Sequence, residues 1–91
     1  MNAKEAVSAA KFFIQDMFAD EQIEDLGLEE VEYEEIANFW YVTVGFSRPW
    51  DKNALTDMQR TGLRRSYKVV TISDNTGEVI SVKNWNVPVA A

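Results

Sequence analysis

The hydrophobic pattern of this chain changes period once and does not change back. Ala6, Val7, Ala10, Phe13, Ile14, Met17 and Phe18 recur at helical spacing and form one wide apolar face. Asn2, followed three residues later by Glu5, makes a capping-box pair, so the pattern predicts one helix over about 3–19. Beyond a polar connector from Asp20 to Gly27, anchored by Ile23 and Leu26, apolar residues recur with a period of two. Strands are predicted over about 28–35, 38–47, 64–73 and 78–85.

Each predicted strand has its own signature. Leu28, Val31 and Tyr33 alternate with glutamates, giving a short strand with a wet, acidic face. Trp40, Val42, Val44 and Phe46 share one face of the next strand and Phe39, Tyr41 and Thr43 the other, which suits a central position. In the third, Tyr67, Val69 and Thr71 stand opposite Lys68, Val70 and Ile72, and Asp74-Asn75-Thr76-Gly77 has the composition of a hairpin turn. The fourth places Ile80 and Val82 on one face and is closed by Pro88. One helix followed by four strands, with no strand–helix alternation, implies an α+β fold: a single domain, 1–91, with an N-terminal amphipathic helix packed on a four-stranded antiparallel sheet.

Charge is divided along the chain. Residues 1–46 hold two basic side chains against eleven acidic ones, and residues 47–91 hold seven against four, within a net charge of −6. That sign argues against non-specific nucleic-acid binding, which needs a clustered positive field. A hydrophobic fraction of 46% with 26% charged residues fits a folded domain rather than a disordered chain. No apolar stretch approaches the roughly 18 residues needed to cross a bilayer, so no membrane partner is expected. The absence of cysteine, and of an apolar core after Met1-Asn2-Ala3-Lys4-Glu5, points to the cytoplasm.

The chemistry available is narrow. With no histidine and no cysteine, the usual general base, thiolate and imidazole ligand are missing, and no serine sits in a nucleophile motif. No enzymatic activity, cofactor or metal is expected. The run Glu29-Glu30-Val31-Glu32-Tyr33-Glu34-Glu35 offers oxygen ligands, but alternation spreads Glu30, Glu32 and Glu34 along one side of a strand. The reading is a solvated face that keeps an edge strand from pairing promiscuously; the alternative is that this segment, with Asp20, Glu21, Glu24 and Asp25, mimics a nucleic-acid backbone or docks on a basic partner.

The long connection over 48–62 breaks the strand pattern, and connections of that length often carry function. Within it Arg48, Pro49 and Trp50 combine residue types that dominate interface hot spots, with Arg60, Arg64 and Arg65 as a basic rim. Two alternatives stand beside that reading: Trp50 folds back as a lid over the sheet, or the arginines pair with glutamates of a neighbouring strand. Trp40 and Trp85 are expected to pack in the core or on a sheet face.

The hairpin segment from Tyr67 to Ile80, with its Tyr-led strand, Thr76-Gly77-Glu78 turn and apolar return, resembles the end of PepSY-like domains. The preceding helix and the strand through Trp40-Tyr41-Val42-Thr43-Val44 fit that family's helix-then-sheet layout, which is similar to a cystatin-like arrangement. Helix, Trp-bearing strand, long loop and Tyr-bearing hairpin together are also similar to gas-vesicle accessory O-type proteins. These resemblances imply a non-enzymatic binding or inhibitory role. The expectation is a protein-interaction module whose partner is another protein: an inhibitor, an immunity- or antitoxin-type protein, or an accessory subunit. The alternative is a small-ligand binder with an apolar pocket between helix and sheet, lined by Phe12, Phe39 and Tyr41. A homodimer through an edge strand is compatible with either.

Overall fold

The computed structural model describes residues 1–49 and 65–85. Helix α1, Ala3–Met17, begins where the Asn2 side chain accepts from the backbone N–H of Glu5 at 2.9 Å and the Glu5 carboxylate accepts from the N–H of Asn2 at 2.8 Å. This reciprocal pair satisfies two donors that the first turn cannot. The helix ends as Phe18 donates back to the carbonyl of Ile14, and a single 3₁₀ turn, Ala19–Glu21, leads to Gln22 in the left-handed region. Strands β1 (Glu24–Glu34), β2 (Phe39–Ser47), β3 (Ser66–Ser73) and β4 (Val79–Asn84) follow. They form one antiparallel sheet in the order β1-β2-β3-β4, an α+β arrangement with the helix on one face.

The helix meets the sheet through Ala6, Ala10 and Ile14, which recur every four residues and are fully buried. Two of the three are alanine, so the backbone of α1 comes close to the strands. Opposite lie Val42, Val44 and Phe46 of β2 and Val70 and Ile72 of β3, all at zero exposure. Val7, Phe18, Leu26, Val31, Trp40, Val79 and Val82 close the margin of this core. Trp40 packs on Tyr33 with ring centroids 4.7 Å apart and planes tilted by 47°, and its indole N–H donates to the Asp74 carboxylate at 2.8 Å. That bond ties β2 to the β3–β4 turn.

The outer strands are irregular and the inner pair is not. The β2–β3 register runs without a break from Phe39 opposite Ser73 to Phe46 opposite Ser66. In β1, Leu28 pairs with Val44 while Glu30 pairs with Thr43, leaving Glu29 as one extra residue. A second offset separates Glu24, opposite Ser47, from Gly27, opposite Gly45, and Asp25 there adopts φ 56°. β1 therefore begins at Glu24, inside the segment read from sequence as a connector. The bulges allow this, because they return Leu26 and Leu28 to the helix side although Val31 and Tyr33 lie there too. In β4 the register slips between Thr71/Ser81 and Ile72/Val79, so Val79 and Val82 face the core. Ile80, expected beside Val82, is the extra residue and is 52% exposed.

Replacing Trp40 by Phe keeps an aromatic ring at the position, removes the bond to Asp74 and gives up part of the indole packed on Tyr33. Hydrogen bonds to a charged group contribute about 1.5–3 kcal/mol, and the lost ring packing adds to this, so W40F is expected to lose at least that much in urea unfolding. An unchanged denaturant slope will show that the compactness of the native state is preserved.

Candidate functional site

The sequence-predicted site residues fall into separate places. Trp50, Arg60 and Arg64 lie outside the described residues, as does the long connection beyond Pro49; Pro49 itself is exposed. Arg48 turns toward the helix side. Its guanidinium stands 5.1 Å from the ring centroid of Phe18 and 5.4 Å from that of Phe46, and Nη1 is 3.4 Å from Glu21 Oε1. The two rings pack together at 5.4 Å. A cation over aromatic faces contributes about 0.5–2 kcal/mol, so Arg48 fastens the end of α1 to β2. Lys68 joins it on the same ring, with Nζ 5.8 Å from the Phe18 centroid and donating to Asn84 Oδ1.

Arg65 goes to the opposite face. Its Nη2 donates to the carbonyl of Asp25 at 2.8 Å and so holds the first bulge of β1 in place. Arg48 and Arg65 therefore do not form a common basic rim. Glu30, Glu32 and Glu34 share the side of β1 away from the helix, as their pairing with Thr43, Tyr41 and Phe39 requires. Glu30 and Glu32 are exposed, whereas Glu34 accepts from the N–H groups of Ile36 and Ala37 at 3.2 and 2.6 Å and closes the β1–β2 turn. Asn38 completes that turn at φ 59° and accepts from the Tyr33 hydroxyl at 2.8 Å. Slight burial first, then the charges of Asp74, Glu35 and Glu34, raise the Tyr33 phenol above its ordinary value.

The three residues expected to line a pocket under the helix do not converge. Phe12 is 73% exposed, and Phe39 and Tyr41 sit on the face of β2 opposite to Val42 and Val44. That second face carries a different feature. Gly45 lies opposite Tyr67, and the Tyr67 ring lies across it, so a Cβ on Gly45 would come within 2.9 Å of Tyr67 Cε1. Tyr67 in turn meets Trp85 edge-on, centroids 5.6 Å apart at 69°, while the Trp85 N–H donates to the Tyr67 carbonyl at 3.1 Å. Between this aromatic pair and β1 opens a cleft of about 350 Å³ walled by Glu29, Glu30, Thr43, Tyr67 and Trp85.

The bulge gives the cleft its charge. Successive residues of a regular strand point to opposite faces, but the extra residue at Glu29 lets two consecutive glutamates border one cavity. Sequence reasoning named Glu29 only within the acidic run, did not single out Thr43 or Tyr67 as site residues and took Trp85 only for packing. The usable signal was the spacing of Leu28 and Val31, which cannot share a face of an unbulged strand. No group of three metal-ligating side chains is assembled among the described residues. No helix among them is long and apolar enough to cross a membrane.

The chain matches no protein family, no curated protein and no solved structure. Its chemistry therefore rests on the geometry above.

Burial, then the neighbouring Arg48 charge, lowers the Lys68 pKa, with Glu21 acting in the other direction. A lysine with a lowered folded-state pKa binds fewer protons folded than unfolded in the window just below 10.5, so folding gains stability there as the pH rises. Relative to Lys68→Met, the wild type is expected to gain stability from neutrality toward pH 10.5, as read by urea midpoints across that range. In the cleft, Gly45→Ala must push Tyr67 aside. A cost of about 1–3 kcal/mol is expected, with a shifted Trp85 indole resonance reporting the broken ring contact.

Proposed function

We propose that this chain is a non-enzymatic protein-interaction module that receives a basic surface of a partner protein on the face of its sheet away from α1. One observation carries the reading: on that face the exposed carboxylates of Glu29, Glu30 and Glu32 stand beside aromatic side chains of β2, β3 and Trp85. Neither the three carboxylates nor the Trp85 indole has a hydrogen-bond or ion-pair partner among the described residues. Aromatic anchors with an acidic border suit a partner that brings positive charge, and the net charge of −6 steers such a partner during encounter. The absence of histidine and cysteine supports a role without catalysis, and the lack of cysteine supports a cytoplasmic setting. The resemblance to PepSY-like and cystatin-like domains supports an inhibitory or accessory role. Arg48, first read as a hot spot, contributes to this function by holding the fold.

The test is affinity capture at two salt concentrations, using wild type and the charge-reversed variant Glu30→Lys/Glu32→Lys. Both positions are exposed, so the variant should unfold at the wild-type temperature. The expected result is one basic protein retained by wild type, weakened by salt, and held about tenfold less tightly by the variant. Equal retention by both proteins, or capture of an acidic partner, removes the reading.

A further inference from the structure

The cleft bounded by Glu29, Glu30, Thr43, Tyr67 and Trp85 has a composition that singles out one chemical class. We propose that it receives a single cationic side chain, guanidinium or ammonium, presented by the partner protein. This rests on the interaction reading and adds what the partner must insert. The edge-to-face pair does not stack its two ring faces on each other, and Trp85 is 40% exposed. Indole and phenol faces attract cations through their quadrupoles, best where water is partly excluded. The opposite wall supplies two carboxylates from consecutive residues, turned together by the β1 bulge. Two like charges side by side repel, and no cation among the described residues neutralises either.

Arg65 is the nearest internal candidate for that role, since its guanidinium approaches Gly45 beside Tyr67. It is committed elsewhere, donating to the Asp25 carbonyl, and it is not among the walls of the cleft. The Thr43 hydroxyl at the floor adds a neutral acceptor for a remaining N–H of the guest. Size points the same way. At about 350 Å³ the cleft is at the small end of ligand sites, enough for one side-chain head and its stem.

The experiment is an NMR titration of the folded chain, observing the Trp85 indole N–H and the Tyr67 ring. The probes are acetyl-Gly-Arg-Gly-amide, its citrulline counterpart and free agmatine. The arginine peptide is expected to shift both reporters saturably, and the isosteric neutral citrulline peptide is not. Glu29→Gln/Glu30→Gln, read on both reporters, and Trp85→Ala, read on the Tyr67 ring, are all at exposed positions and should each weaken the arginine peptide about tenfold while resonances remote from the cleft stay in place. Equal shifts from arginine and citrulline peptides, or unchanged affinity in both variants, overturn the proposal. Agmatine binding tenfold tighter than the peptide reassigns the cleft to a free metabolite and overturns it as well. Failure here with a salt-sensitive basic protein still captured leaves the interaction reading standing. Peptide binding with no protein captured removes that reading and leaves the site.

Discussion

A single fifteen-residue helix can cover one face of a four-stranded sheet, and here the stripe of Ala6, Ala10 and Ile14 covers the face of Val42, Val44, Phe46, Val70 and Ile72. Everything else follows from that asymmetry. The core is thin, so its margins are closed by long side chains bridging helix and strand: Arg48 over Phe18 and Phe46, Lys68 over the same ring, Trp40 between Tyr33 and Asp74. These contacts combine an apolar body with a polar end, which suits a boundary between dry and wet surroundings.

The other face is built from different materials. Thr43 and Thr71 are buried there beside Tyr41 and Tyr67, so this face mixes aromatic rings with hydroxyl-bearing side chains where the other is aliphatic. The two edge strands are bulged while the inner pair is regular, and bulged edges discourage pairing with another chain. The sheet thus has irregular rims and a regular centre, with its aromatic and charged side chains set on the face between them.

Much of the fold could be read in advance because its signals are local. The helix announces itself by Asn2 and Glu5 and by the spacing of its apolar face, and β2 by strict alternation from Trp40 to Phe46. What failed to be read depends on register. The placement of β1 from Glu24, and of Ile80 outside the core, turns on bulges that alternation alone does not predict. Arg48 looked like a free anchor because Phe18, thirty residues earlier in the chain, is not visible as its neighbour in a linear reading. The cleft needed three strands in register before Glu29, Thr43 and Tyr67 could be seen to meet, although the broken spacing of Leu28 and Val31 already hinted at the bulge.

The two offsets in β1 behave like a pair of frame shifts. Each moves the pairing by one residue, and two such moves amount to one full pleat, so Glu24 regains the phase of Glu30 and Glu32 while Gly27 and Leu28 occupy the displaced interval. Loss of either extra residue alone would turn one part of the strand inside out, putting carboxylate against the helix or leucine into water. Loss of both would leave each flanking part in its present phase. Single-residue length changes in this strand are therefore coupled over a short distance, and variants of the chain should carry both bulges or neither.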